Sequence, residues 1–256
     1  KLIGSGFFSE VYRVNTDSIV KVFTRNTPLD AINRERELAR NAFLLGIPAA
    51  ITFDIVDVGG KYGLLFESIN GGTFTQKILS DTEHLDQYII QYANLLKTIN
   101  TTESVSENIP QIANINKDKL EVVKPYLKDA EYHRLSSMLA SVEDTHTFVH
   151  ADCHTGNIML QNGELIIIDM DTLSTGNPIF ELASLYATYI VFEECSKGNN
   201  LEFLKLDVSI TNRLFYDTMK HYLGEINEQR FSENIKKIQV CGYFHMLYWN
   251  RMNKPE

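Results

Sequence analysis

Cysteine is scarce in this chain: Cys153, Cys195 and Cys241 are the only three in 256 residues. They are too few and too scattered for a disulfide framework, and no Cys-x-x-Cys knuckle offers a zinc site, so a reducing compartment is expected. Long apolar runs are missing as well. The longest are strand-sized, such as Leu165 to Ile168, far short of the ~20 residues a membrane-spanning helix needs. Positive charge is not in surplus: 24 Lys and Arg face 33 Asp and Glu, a net charge of -9. That balance argues against nucleic-acid partners, whose phosphates demand a basic stripe, and leans mildly toward cationic small molecules. Repeats, low-complexity tracts and a signal-peptide pattern are absent too, and the expected location is the cytoplasm.

What is present is enough chain for two compact units, with roughly 70–75% of the unfolded surface buried. From Leu2 to Phe23, short β-rich runs alternate with turns such as Asn15 to Ser18. Thr27-Pro28-Leu29-Asp30 has the makings of a capping box, with Pro28 at the first helical position, and opens a helix that Gly46 and Pro48 stop. Two further strands, around Ala50 to Val56 and Tyr62 to Phe66, flank the Gly59-Gly60 turn. Beyond Asn70-Gly71-Gly72 the pattern turns helical, with apolar residues at Leu85, Tyr88, Ile89, Tyr92, Leu95, Leu96 and Ile99. A second helical stretch is expected over Leu120 to Val142, broken at Pro125. Short strands return at Phe148-Val149, Ile158 to Leu160 and Leu165 to Ile168, with Asn162-Gly163 as a hairpin turn. Helices then run from Ile179 to the end. The expected fold class is α+β, with a β-rich lobe over 1–69 and a larger, mainly helical lobe over 70–256. The glycine-rich segment begins three residues after Lys1, so the first lobe is expected to lack its first strand.

Three separated elements carry chemistry. Gly4-Ser5-Gly6-Phe7-Phe8-Ser9-Glu10-Val11 lies between strands, where small residues let backbone N–H groups approach phosphates. It is not a Walker loop, since no Gly-Lys-Ser/Thr follows. Lys21 sits between Val20 and Val22 on a strand, ready to bridge phosphates if a carboxylate from the next helix holds it. Glu37 is placed there and Glu35 is its rival, since two residues apart on a helix only one can serve. The third element is His150-Ala151-Asp152-Cys153-His154-Thr155-Gly156-Asn157, followed after a hairpin by Asp169. This His-x-Asp-x4-Asn pattern is that of a kinase catalytic loop. Asp152 suits a base that orients an attacking hydroxyl, and Asn157 with Asp169 suits oxygen ligation of Mg²⁺ beside phosphate. His150 reads as a brace of the loop. His150, Cys153 and His154 are also zinc-ligand types, but Ala151 stands where a metalloprotease helix needs Glu, and Thr155-Gly156-Asn157 breaks any helix.

VHADCHTGNIML followed by LIIIDMDTLSTGNPIFELASLY resembles the signature of the aminoglycoside phosphotransferase and choline kinase-like family, within the protein kinase-like superfamily. The resemblance spans nearly the whole chain. It implies an ATP- and Mg²⁺-dependent phosphotransferase acting on a hydroxyl of a small acceptor, cationic ones included, such as an amino alcohol, aminoglycoside or sugar. By resemblance, Gly4, Ser5, Gly6 and Ser9 cover the phosphates, Glu37 is the partner of Lys21, and Phe66 lies behind the adenine. Backbone groups of Glu67 and Ile69 would bond the adenine edge. Asp152, His150 and Lys21 form the catalytic set, and Asn157 and Asp169 hold the metal. Ala151 replaces the family's usual glycine. Glu181 would tether the segment after the metal loop to nearby backbone N–H groups.

Asp171, two residues past Asp169, would share its face if the strand continued, and could then support the metal or a donor-rich acceptor. The segment between Asp169 and Pro178 is too short for the peptide platform of ordinary protein kinases. An atypical protein kinase and a catalytically inactive nucleotide-binding regulator remain the alternatives. The aromatic stripe of the C-terminal helices is expected to be mainly helix-bundle core, with one or two of its aromatics and Asp171, Glu193 or Glu194 as the candidate lining for a cationic acceptor.

Overall fold

The computed structural model describes residues 1–6, 9–24, 27–106, 108–224 and 228–253, with side chains of the last segment from 232 onward. Phe7 and Phe8 of the glycine-rich segment lie outside the described residues. The architecture is bilobal and α+β, and the chain divides into two compact units: residues 1–74 with 157–171, and residues 75–156 with 172–256. The hairpin that follows the catalytic loop groups with the first unit.

In the first unit, β1 (Leu2–Ser5), β2 (Ser9–Arg13), β3 (Ser18–Phe23), β4 (Thr52–Val58) and β5 (Lys61–Glu67) form an antiparallel sheet ordered β1-β2-β3-β5-β4. Helix α1 (Leu29–Leu44) follows β3. Its start differs from the expected capping box. Pro28 itself is the N-cap, at φ -65 and ψ 146, no side chain caps the helix, and the Pro28 carbonyl accepts from the N–H groups of Ala31 and Ile32. Proline's fixed φ already supplies the entry geometry, so the Thr27 hydroxyl is not needed. Phe23, Ile32, Leu64, Phe66 and Ile69 make the core, and Met159, Ile166 and Ile168 pack against it.

Those last three come from a hairpin, β6 (Ile158–Gln161) and β7 (Glu164–Ile167), turned at Asn162-Gly163 with both φ positive, 53° and 85°. Right-handed strand twist favours that turn, and Asn-Gly is the pair that adopts it most readily. The hairpin is stitched to the rest of the unit by backbone bonds. Ile167 N–H donates to Pro48 O, Ala50 N–H to Ile167 O, and Leu160 N–H to Gly72 O. Gly71 permits this seam, because a Cβ there would stand 2.0 Å from the Leu160 carbonyl oxygen.

The second unit is helical: α2 (Phe74–Ser80, entered at its first residue from the other unit), α3 (Leu85–Thr101), α4 (Ile112–Val123), α5 (Asp129–Ala140), α6 (Ile179–Tyr186), α7 (Phe192–Cys195), α8 (Asn199–Phe203), α9 (Val208–Leu223) and α10 (Glu228–Asn253). The single broken helix expected over 120–142 is two helices parted by a tight turn at Lys124–Tyr126, with Pro125 in the break. Helix α3 packs on α9, and α10 on α6 and α4. Tyr92, Tyr189, Phe148 and Phe215 are fully buried among them. Between α6 and α7 the backbone widens into a π-turn, Ala187–Val191, that carries Tyr189. Two-residue strands at Phe148–Val149 and Ser174–Thr175 pair antiparallel and bracket the segment with the chemistry. No helix among the described residues is long and apolar enough to cross a membrane.

Candidate active site

In the first unit, Lys21 projects from the middle strand of the sheet and is nearly covered. Its ammonium donates to Glu35 Oε1 at 2.7 Å and to Asp169 Oδ1 at 2.6 Å. Burial alone would lower its proton affinity, but the two carboxylates outweigh burial and hold it well above the usual lysine range. Burial pushes Glu35 upward, and Lys21 opposes that. The expected partner, Glu37, is not there. It lies half exposed and faces Arg36. Helical periodicity explains the correction: Ile32, Glu35, Leu38, Ala39 and Ala42 make the buried stripe of α1, and Glu37 falls off it.

The hairpin brings Asn157 and Asp169 to one end. Ile158 pairs with Ile167, and Ile168 N–H donates to Asn157 O at 2.9 Å, so the two residues flank the open end of the ladder. Asp169 sits at φ +66, a left-handed conformation that an L residue adopts at a cost of about 1–2 kcal/mol. Beyond it, Met170–Thr172 is a 3₁₀ turn rather than more strand. The expectation that Asp171 shares a face with Asp169 therefore fails, since the alternation of a strand is lost; Asp171 is exposed in that turn. Among the described residues no three His, Cys, Asp or Glu side chains gather as a metal cage. Asn157 and Asp169 offer the hard oxygen donors that fit Mg²⁺ when phosphate oxygens and water complete its shell.

Among the described residues, a Cβ at Gly4 would meet nothing nearer than 3.8 Å and one at Gly6 nothing nearer than 3.9 Å, while Gly6 N–H closes the turn onto Ser9 O. Phe66 is in the core. The Glu67 N–H is spent on Ile51 O and its carboxylate on Ile51 N–H. The backbone of Ile69, just past β5, makes no hydrogen bond among the described residues.

In the second unit the catalytic loop is bolted down by side chains. Glu181 Oε2 accepts from the N–H groups of His150 and Ala151, at 2.5 and 3.2 Å. Thr172 donates to His150 O, Ser184 to Ala151 O, and Tyr92 to Cys153 O. Tyr189 accepts from Thr155 N–H, and the hydroxyls of Thr75 and Thr155 lie 2.8 Å apart. Ala151 at φ +63 explains why glycine suits its place in the resemblance. His150 is fully buried and Asp152 only partly so, which leaves Asp152 the accessible carboxylate of the loop.

Sequence reasoning missed the contribution of His154. Glu181 makes the tether expected of it, to the N–H groups that open the catalytic loop. Burial pushes it up to about 7, against the pull of its two backbone donors. His154 stands 3.8 Å from Asp152, Nε2 to Oδ1, and its Nδ1 accepts from Gly156 N–H. That bond leaves Nε2 to carry the proton of the neutral ring, aimed at Asp152. A Cβ at Gly156 would press within 2.9 Å of the imidazole, a signal that Gly156 in the sequence could have given.

Much of the aromatic stripe is helix-bundle core, as expected. Tyr186, Tyr189 and Phe244 are core, Glu193 caps the N–H groups of Gly198 and Asn200, and Glu194 accepts from Tyr243.

A family model described as "Phosphotransferase enzyme family" matches residues 1–197. Solved structures share the fold at low identity. A streptomycin–ATP ternary complex of APH(2")-IIa is 16% identical, covers 100% of this chain and 88% of its own, and has a TM-score of 0.62. Aminoglycoside phosphotransferase APH(3'')-Id from Streptomyces rimosus, with ADP and streptomycin, gives 15%, 91%, 90% and 0.56. Macrolide 2'-phosphotransferase MphH from Brachybacterium faecium gives 10%, 100%, 87% and 0.56. No curated protein matches the chain.

Proposed function

The chain belongs to the phosphotransferase enzyme family, and from that premise we propose that it transfers the terminal phosphoryl group of ATP to a hydroxyl of a small molecule. The observation that carries the proposal is Lys21, bonded at once to Glu35 and to Asp169 at the hairpin end that also bears Asn157. A structural ion pair would not need a second, 39%-exposed carboxylate in a left-handed backbone; such strain persists where function requires it.

In this reading Glu35 holds the ammonium of Lys21 toward the α- and β-phosphates. The open backbone around Gly4 and Gly6 leaves room for phosphate oxygens, and the unbonded backbone of Ile69 with the Glu67 carbonyl meets the adenine edge. Asn157 and Asp169 would hold Mg²⁺, which when bound neutralises phosphate charge. Asp152, oriented by His154, accepts the proton of the acceptor hydroxyl as its oxygen bonds to the γ-phosphorus. The bond from that phosphorus to the bridging oxygen breaks, and ADP departs with the electron pair. Most of the rate gain in such transfers comes from positioning and charge neutralisation.

The test is ADP release over a panel of amino alcohols, sugars, hydroxy acids, aminoglycosides and macrolides; the solved relatives named for those antibiotics justify the last two. Asp152→Asn should bind ADP as the unaltered protein does and lose about 10²–10⁴-fold in transfer. Equal rates in the two proteins would remove Asp152 from the base role. Phosphate on a protein acceptor alone would point to an atypical protein kinase, and nucleotide binding without any transfer to a regulator.

A further inference from the structure

Helices α4, α6 and α10 enclose a small cavity in the second unit that the proposed reaction does not yet use. Asn116, Lys119, Phe180, Phe244 and His245 line it, and so does Ala151, the chain neighbour of Asp152. Each of its polar side chains can donate a hydrogen bond, and Lys119 can only donate. Asn116 is only 7% exposed and makes no side-chain hydrogen bond among the described residues. Lys119 has no carboxylate within ion-pair distance among them, and its ammonium rests 5.3 Å above the ring of Tyr248. Burial lowers its proton affinity, and the Asp152 charge partly restores it. Burial, and then Lys119, pushes His245 down to about 3, so its ring stays neutral and keeps one N–H to give.

Lys119 and His245 are only partly buried, so the three groups can be hydrated, yet together they present an amide, an ammonium and an imidazole N–H to one cavity. No carboxylate among the described residues pairs with them there. The two glutamates expected to attract a cation, Glu193 and Glu194, are bonded to Gly198, Asn200 and Tyr243.

We propose that this cavity receives an anionic group of the acceptor, so that the phosphoryl acceptor is a small hydroxy compound bearing a carboxylate or phosphate, with its hydroxyl at Asp152 and its anion at Asn116, Lys119 and His245. The inference rests on the phosphotransfer reading and specifies its substrate class. It also reverses the cationic acceptor that net charge suggested. Asp152 keeps the two ends apart: its own charge repels the anion toward Lys119 while the neutral hydroxyl can approach.

The experiment compares matched acceptors by kcat/KM from ADP release: glycerate against glycerol for a carboxylate, glycerol 3-phosphate against glycerol for a phosphate, and choline and ethanolamine for cations. At least one acid should outpace its neutral counterpart by about tenfold or more, the worth of one hydrogen bond to a charged group. Lys119→Met should erase that ratio. Lys117→Met removes the same charge from an exposed position on α4 and should leave it intact. A thermal melt of each variant separates misfolding from lost preference, and Lys119→Arg should rescue part of the ratio. The proposal is overturned if no acid exceeds its neutral partner, if the cations lead, or if Lys119→Met and Lys117→Met behave alike. Calorimetric ADP binding, measured beside it, decides the broader reading: no nucleotide binding sinks phosphotransfer itself, whereas binding without an anion preference sinks only the acceptor class.

Discussion

Glu181 shows how much one side chain can contribute to a loop it never joins in sequence. Fully buried, it accepts the two N–H groups at the head of the catalytic loop, and burial holds its carboxyl near 7 against the usual 4.5. Between those values the folded chain binds a proton that the unfolded chain has lost. The stability from this group is therefore complete below pH 4.5 and falls as pH rises through 7. The fall amounts to at most about 3 kcal/mol at 1.36 kcal/mol per unit. Glu181→Gln keeps an oxygen for both donors but cannot titrate. Urea melts at pH 5 and pH 8 should show the unaltered protein losing more stability than the variant over that interval; parallel losses would refute the assignment. The role was half legible. An acidic residue after the metal loop marked a tether, but which backbone it would bond depends on how α6 packs against the loop, and no local pattern states that. Glu35 is the opposite case. Its place on the buried stripe of α1, in register with Ile32, Leu38, Ala39 and Ala42, was readable from the sequence, but Glu37 was placed there instead.

At the scale of elements, the β6–β7 hairpin is what turns motif into site. Asn157 and Asp169 are twelve positions apart and meet because an Asn-Gly turn fixes the register between them. That much followed from alternation and turn chemistry. The docking of the hairpin on 48–50 and 72 did not, because backbone bonds to Pro48 and Gly72 carry no side-chain signature. Gly71 tests the point. A Cβ there would collide with the Leu160 carbonyl at 2.0 Å and shift the hairpin. Gly71→Ala should weaken ADP affinity by about tenfold or more, as lost support of metal-site ligands commonly does. Gly60→Ala, at φ +84 with open space around it, should cost about 1–2 kcal/mol of backbone strain and leave affinity unchanged. Calorimetry on both variants checks this, and equal affinities would contradict the hairpin's role. The 3₁₀ turn at Met170–Thr172 marks the limit of alternation: the strand period ends at Ile167, and a reading that extended it to Asp171 put that residue on the wrong face.

For the whole molecule, the family and the bilobal α+β class were legible because the motifs stand in fixed order along the chain and the hydrophobic period changes from strand to helix near residue 70. The acceptor was not legible, since it depends on which groups α4, α6 and α10 leave unsatisfied after packing. Net charge and the cavity lining point to opposite acceptors: a global charge of -9 is screened beyond ~8 Å at physiological salt, whereas Asn116, Lys119 and His245 would act at contact range. The central claim concerns Lys21, Asn157 and Asp169, which residues 22–156 separate in sequence and the first unit gathers. Calorimetric titration of ADP with and without Mg²⁺, on the unaltered protein and on Asp169→Ala, tests it most directly. Mg²⁺ should tighten ADP binding to the unaltered protein by about tenfold or more, and that gain should vanish in the variant. The same gain from Mg²⁺ in both proteins would contradict the account.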